Sequence, residues 1–172
     1  MGAENPVRQG AGTYGDGMQM RAAAEGDRAF IVEMARLASS LEGRHPVPDA
    51  DAPVVLAVLP GDDDVAVVAV DGDGSPVGAA WSHAHKPALL VDDDGRTVPE
   101  VIVAVVPTAR GRGIGAALLD AVADATRPSR SALSLNVHLL NPAVRLYIRK
   151  GFRVAGAGRG WYGVAMRREL DR

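Results

Sequence analysis

Residues 103–116 read Val103-Ala104-Val105-Val106-Pro107-Thr108-Ala109-Arg110-Gly111-Arg112-Gly113-Ile114-Gly115-Ala116. The stretch begins as an apolar, mostly β-branched run, is stopped by Pro107 and passes through glycines at alternate positions. Beyond them Ile114, Leu118, Leu119 and Val122 recur at helical spacing among alanines. The reading is a buried strand, a glycine-rich turn and a helix N-terminus. The first amides of a helix lack intrahelical acceptors, and the helix dipole favours negative charge there. Glycines that open the main chain to close approach therefore make a phosphate site. Arg110 and Arg112 suit charge-assisted contacts to a diphosphate. By itself, such a glycine pattern serves a tightly packed strand-to-helix turn equally well.

Working outward, the run Ala132 to His138 predicts a second strand. A strand, helix and strand in that order form a crossover, so Val101–Val106 and Leu133–His138 should lie parallel. Asn141-Pro142 caps and opens a helix through Lys150, with Gly151 as its stop. Val154 and the run Trp161 to Met166 supply closing strands. Upstream, Val65–Val70, the turn Asp71-Gly72-Asp73-Gly74 and Val77–His85 make a hairpin, and Asp92-Asp93-Asp94-Gly95 leads into Val98–Val106. Three strands on short turns form an antiparallel meander. From Gly26 to Leu41, the positions Phe30, Ile31, Met34, Leu37, Ala38 and Leu41 mark one face of a helix that Gly43 ends. Arg44 to Asp51, with Pro46 and Pro48, is a loop, and Val54–Leu59 fits a helical turn or a strand. Residues 1–17 read as a flexible arm and 18–172 as one α+β domain around a single mixed sheet, with no internal repeat.

Composition agrees with this. The chain has 172 residues, 47% hydrophobic and 23% charged, enough for one well-formed core. No apolar run is long enough to cross a bilayer, neither a signal-peptide core nor a transit pattern opens the sequence, and a cytoplasmic protein is expected. Without cysteine there is no disulfide scaffold or thiolate metal site, and four histidines suggest no metal centre. The net charge of −2 hides a division: residues 105–172 hold twelve Arg and Lys against four Asp and Glu, residues 1–104 seven against seventeen. The basic half carries the glycine loop, which points to an anionic ligand. A nucleic-acid module is disfavoured, because aromatics are only 4% of the chain and do not interleave with the arginines.

Among phosphate-binding loops, a P-loop requires Gly-Lys-Ser/Thr, which Ile114-Gly115-Ala116 does not supply. Gly111, Gly113 and Ala116 satisfy the dinucleotide pattern, but no Asp or Glu occurs between Asp124 and Glu169 to bind a ribose, and an antiparallel meander precedes the loop. Arg110, Gly113 and Gly115 instead match the Arg/Gln-x-x-Gly-x-Gly/Ala signature of the GNAT superfamily of acyl-CoA N-acyltransferases. The chain resembles that family also in Val105-Val106-Pro107, in Leu118-Leu119 and in Asn141-Pro142-Ala143-Val144-Arg145-Leu146-Tyr147-Ile148-Arg149-Lys150-Gly151-Phe152, over roughly residues 18–170. It departs in the spacing of Asn141, which stands six residues before Tyr147 where many members have seven.

The resemblance implies a mostly antiparallel sheet whose parallel strands 4 and 5 splay apart, helices on both faces and acetyl-CoA as co-substrate, with no metal. Its pantetheine arm would pair with the main chain of Val103, Ala104 and Val105. Its pyrophosphate would lie on the amides of Gly111, Arg112, Gly113, Ile114, Gly115 and Ala116 near Arg110, and Asn141 is a further cofactor contact. Tyr147 matches the family's usual proton donor to the departing sulfur. Packing alone would also explain Tyr147, and an N-cap role would explain Asn141. Glu100 is the first candidate for the base, with His138 or a water held by Asn136 as rivals. His83 and His85 share a face with Trp81 and read as lining of the sheet. The implied activity is N-acetylation of a primary amine, a small molecule or peptide, with a homodimer as an open expectation. A catalytically silent acyl-CoA sensor is the alternative. The acceptor site falls in variable loops, here Leu41–Pro53 and the turns near Lys86 and Arg159. No motif in them names a substrate.

Overall fold

The computed structural model describes residues 13–14, 17–40 and 46–171. A two-residue strand β1 (Thr13–Tyr14) pairs with β2 (Met18–Ala22), so the part of the N-terminal arm that is described lies at the sheet edge, and residues 1–12 are outside the description. The chain continues through α1 (Arg28–Ala38), one turn of helix α2 (Pro53–Leu56), β3 (Ala66–Val70), β4 (Pro76–His83) and β5 (Glu100–Val105). Then follow α3 (Ile114–Thr126), β6 (Ala132–His138), α4 (Val144–Arg149), β7 (Arg153–Ala157) and β8 (Gly163–Glu169). One sheet holds all the strands in the order β1-β2-β3-β4-β5-β6-β8-β7, antiparallel throughout except between β5 and β6.

Helices cover both faces, which is why β3 and β4 are buried almost continuously instead of at alternate residues. On one face Ile31, Met34 and Ala35 of α1 and Val55 of α2 pack with Val68, Ala79 and Trp81. The Trp81 indole is wholly buried and donates to the Val58 carbonyl at 2.7 Å, so its one polar group is satisfied. On the other face α3 sets Ile114, Leu118, Leu119 and Val122 against Val67, Ala80, Leu133 and Leu135. Gly78 permits that approach, since a β-carbon there would stand 3.0 Å from both the Ala104 carbonyl oxygen and Leu118 Cδ1.

The expected meander, crossover and strand β6 are present, and the undecided segment after Pro53 is a helical turn begun by proline at its first position. Three expectations are corrected. Within α1 the buried stripe is Ile31, Met34 and Ala35, while Ala38 is exposed where the helix ends; Leu41 and Gly43 lie outside the described residues. The last strand starts at Gly163, not Trp161, because Gly160 at φ 76° turns the chain and the Gly158 amide closes on the Gly163 carbonyl at 2.9 Å, leaving Trp161 fully exposed. Strand β4 stops at His83, which puts His85 in the following loop. Among the described residues no helix is long and apolar enough to cross a membrane.

The junction of β5 with β6 positions everything that follows. These strands are paired only at Glu100 and Ser134, where the Ser134 amide donates to the Pro99 carbonyl at 2.8 Å. Past that point they part. Glu100 and Val101 are buried, but Ile102 to Val105 are only half-buried although β5 sits in the middle of the sheet. A central strand with an uncovered inner edge is the splayed geometry expected from the sequence.

Candidate active site

At the open end of the split, the Val106 amide donates to the Val77 carbonyl at 2.9 Å. Main-chain groups alternate sides along a strand, so the even-numbered residues of β5 turn toward β4 and the odd-numbered ones toward β6. Val103 and Val105 therefore present N–H and C=O groups to the split, whereas those of Ala104 face β4. Strand β5 leads through a 3₁₀ turn (Pro107–Ala109) to Arg110, whose Nε donates to the Val105 carbonyl at 3.3 Å. Gly111 and Gly113 follow at φ 76° and 78°, a left-handed conformation that only glycine adopts without strain.

The first helical bond of α3 runs from the Ala117 amide to the Gly113 carbonyl at 3.1 Å. The amides of Gly111, Arg112, Gly113, Ile114, Gly115 and Ala116 have no acceptor among the described residues. Open space lies over Gly111 and Gly113, where a built β-carbon would meet nothing within 4 Å. Gly115 serves packing instead, with Leu146 of α4 3.5 Å from where its β-carbon would be. The Ile114 side chain is buried in the core, and that of Arg112 is exposed. The loop is thus a cluster of unsatisfied donors at a helix N-terminus, open to solvent and flanked by arginine, and it fits a diphosphate.

Helix α4 brings Tyr147 against the same core as Val103, Val105 and Leu146, with its ring edge-on to Phe152 at 6.1 Å. Burial pushes the Tyr147 phenol up to about 12, so it stays protonated over the physiological range. Asn141 does not cap α4 as expected, because the helix starts only at Val144 with Ala143 at its N-cap. Instead Asn141 forms the turn before it, its Oδ1 accepting the Ala143 amide at 2.9 Å and its carbonyl the Val144 amide at 3.1 Å.

At the closed end, Glu100 is 5% exposed, and both of its carboxylate oxygens accept from Arg159, at 2.6 Å each. Arg159 also donates to the Pro87 carbonyl at 3.1 Å, and its own amide is held by Asn136 Oδ1 at 2.8 Å. It ties the β7–β8 turn, the start of β5 and the loop after β4 into one bar across the split. Hydrogen bonding to Glu100 holds the Arg159 guanidinium above its ordinary value, so the pair is ionic. His83 stands opposite Glu100 across the strands, and its Nδ1 is bonded to Asp64 Oδ2 at 2.6 Å. The ring of His85 packs edge-on to it at 4.8 Å. His138, farther along β6, accepts the Leu140 amide at Nδ1 and leans on Tyr162.

The loop, the strand edge, Tyr147 and Glu100 were all expected from the sequence, and the structure sets them along one split. Arg159 as the partner of Glu100 was not expected. The residues are 59 positions apart in unrelated elements, with no local signal joining them. Asp64, in the turn before β3, orients His83.

A strand-split mixed sheet with a donor-lined loop at its open end is the architecture of an acyl-CoA transferase. A family model described as an acetyltransferase (GNAT) domain matches residues 62–154, and the chain belongs to that family. No curated protein sequence matches it. Among solved structures it is similar to a GCN5-related N-acetyltransferase from Kribbella flavida, at 30% identity over 89% of this chain and 98% of that one, with a TM-score of 0.66. The fold is shared with a GNAT superfamily phosphinothricin acetyltransferase from Sinorhizobium meliloti solved with acetyl-CoA (23% identity, 89% and 88% covered, TM-score 0.66). It is also shared with a ribosomal-protein-alanine N-acetyltransferase from Brucella melitensis (22%, 88% and 99%, TM-score 0.65).

Proposed function

We propose that this protein is an N-acetyltransferase that uses acetyl-CoA to acetylate a primary amine directly. The observation that carries the reading is the run of unpartnered amides from Gly111 to Ala116, beneath open space and continuous with the uncovered edge of β5. Bound there, acetyl-CoA supplies an activated thioester. The loop amides would hold the diphosphate, Val103 and Val105 would pair with the amides of the pantetheine arm, and Arg110 and Arg112 would add charge. Asn141, engaged in the turn before α4, contributes by fixing the entry of that helix. Tyr147 acts from its protonated form, because its phenol does not ionise near neutral pH. It gives a hydrogen bond to the sulfur as negative charge develops there, which lowers the barrier to thiolate departure.

The acceptor would enter over the face that carries Glu100, His83 and Arg159. The phosphinothricin and ribosomal-protein enzymes act on very different amines within the same fold, so the acceptor is not carried over from either. Support for a cationic acceptor comes from the charge division, since two of the three variable loops, Leu41–Pro53 and the turn near Lys86, belong to the acidic half of the chain. The test is incubation of the protein with acetyl-CoA and a panel of amines, with free thiol and acetylated product both measured. Equimolar thiol and amide is the expected result. Binding of acetyl-CoA with no amide from any amine would favour a silent sensor, and no binding would remove the reading altogether.

A further inference from the structure

We propose that His85 is the base that takes the proton from the ammonium form of the acceptor, an assignment that rests on the acetyltransferase reading above. An alkylamine arrives protonated at neutral pH and cannot attack a carbonyl until its nitrogen lone pair is freed. The carboxylate that sequence alone favours for this task is Glu100, and its geometry argues against it. It is buried, and each of its oxygens is taken by one arm of the Arg159 fork at 2.6 Å. Accepting a proton would forfeit a bidentate ion pair and leave the Arg159 charge without its partner.

His83 is likewise committed, with Nδ1 on Asp64 at 2.6 Å. His138 uses Nδ1 to accept the Leu140 amide and lies four residues past the last β5–β6 pairing, on the far part of β6. The His85 ring differs from all three. Neither of its nitrogens has a hydrogen-bond partner among the described residues, it is half-buried, and its orientation is fixed edge-on against His83, with rings 4.8 Å apart and 79° between planes. Its backbone amide donates to the His83 carbonyl at 3.2 Å, which keeps the loop close to the strand end.

The position is also suitable. His83 is the residue of β4 paired with Glu100, and Glu100 is the last residue of β5 paired with β6, so His85 lies beside the point where the split begins. The groups around it are Glu100 and Asp64, which favour its protonated form, and Arg159 and His83, which oppose it. Burial outweighs them and lowers its pKa from the ordinary imidazole value, leaving a neutral ring with a lone pair at pH 7. In the step assigned to it, an N–H bond of the ammonium breaks, the proton goes to an imidazole nitrogen, and the electron pair stays on the amine. The amine then forms the C–N bond as the C–S bond breaks. Its second proton reaches the sulfur by way of the Tyr147 hydroxyl, and the imidazolium returns its proton to solvent.

The test compares wild type with His85→Gln and His85→Asn, with acetyl-CoA saturating, across pH 6 to 9. Two acceptors are used on the same preparations, an alkylamine and an alkoxyamine of the same length that is already neutral at pH 7. We expect both variants to lose ~10²-fold in kcat/KM at pH 7 with the alkylamine. The levelling-off of the wild-type profile above the imidazole pKa should give way to a rate that rises with pH through pH 9, set by the ionisation of the amine itself. With the alkoxyamine the loss should be within a few-fold. Equal losses with both acceptors would mean that His85 serves structure, and a variant profile that still levels off as wild type does would place the base elsewhere; either overturns the proposal. The alkylamine is one that the amine panel above shows to be acetylated; a wild type that acetylates no amine of that panel would overturn the acetyltransferase reading itself, and this assignment with it.

Discussion

The two ends of the β5–β6 split are built on opposite plans. At the open end the loop leaves six consecutive amides, Gly111 to Ala116, without acceptors among the described residues, and the β5 edge is uncovered. At the closed end the polar groups are paired: Glu100 with Arg159, Asp64 with His83, Asn136 with the Arg159 amide. A folded chain tolerates unsatisfied main-chain donors only where water or a ligand reaches them, so the open end is a surface waiting for a large anion. The closed end is preorganised, and its polar network fixes side chains before anything binds. Two exceptions stand outside this pattern, the Tyr147 hydroxyl on α4 and the His85 ring at the closed end, each without a hydrogen-bond partner among the described residues.

The largest effect should come from removing one of those exceptions. Tyr147→Phe keeps the ring against Phe152 and deletes the hydroxyl, so kcat should fall by ~10²-fold or more while the dissociation constant of acetyl-CoA stays within about twofold. Steady-state kinetics with calorimetry checks this. An unchanged kcat at saturating acceptor would return Tyr147 to packing and weaken the distinction between paired and unpaired groups.

Arg159→Ala attacks the paired end. It strands a buried carboxylate, and because Arg159 is itself 40% exposed the cost should fall below that of a fully buried pair, at about 2 kcal/mol. Denaturant melts should show this loss, and Glu100→Gln added to it should recover part, because a neutral amide needs no counter-charge. If Arg159→Ala proved as stable as wild type, the bar across the split would be an ornament of the surface, and the closed end would not be preorganised.

The reason the two ends were unequally legible in the sequence is physical. Everything at the open end is local: Pro107, the positive-φ glycines and the helix period of Ile114 to Val122 lie within twenty residues, and each acts on its own neighbours. The turn chemistry and the dipole follow from such local facts, and so does the extent of β6, expected at its observed limits Ala132–His138. The closed end is assembled by tertiary structure. Arg159 meets Glu100 because β8 doubles back beside β6, and Asp64 meets His83 because β3 and β4 form a hairpin whose free ends lie together. Neither contact leaves a pattern in the spacing of residues. Exposure was misjudged for the same reason: Trp161 has the composition of a strand residue, and only the turn made by Gly160 shows that it projects into solvent.

The open end can be tested at Gly113. Gly113→Ala forces a β-carbon onto a backbone at φ 78°, which should cost about 1 kcal/mol in stability, and it sets a methyl group in the space above the loop. Affinity for acetyl-CoA should drop about tenfold, which at 1.4 kcal/mol per decade is a loss comparable with one good contact. Thermal melting and calorimetry separate the two effects. Equal affinity in folded wild type and variant would mean that the unpartnered amides do not face the cofactor.

The smallest effect concerns charge at longer range. The loop and α4 belong to the half of the chain with twelve basic residues against four acidic, and the strands and turns leading to the closed end belong to the half with seven against seventeen. If acetyl-CoA approaches the first and the acceptor the second, each is drawn to its own end by the summed field. Asp64 and Glu100 are already engaged by close partners, so the field at the acceptor side comes from the turn acids Asp62, Asp63 and Asp92 to Asp94, and it should be weak. A cationic amine should therefore exceed a matched anionic one by only a few-fold in kcat/KM at low salt, and the advantage should vanish above ~0.3 M salt, where the screening length falls below ~6 Å. Rates for cationic, neutral and anionic amines of equal length at two ionic strengths measure it. A preference for anionic amines would reverse the assignment of charge to the two ends. A preference that salt does not touch would locate selectivity in direct contacts at the closed end, with Arg159 the first residue to examine.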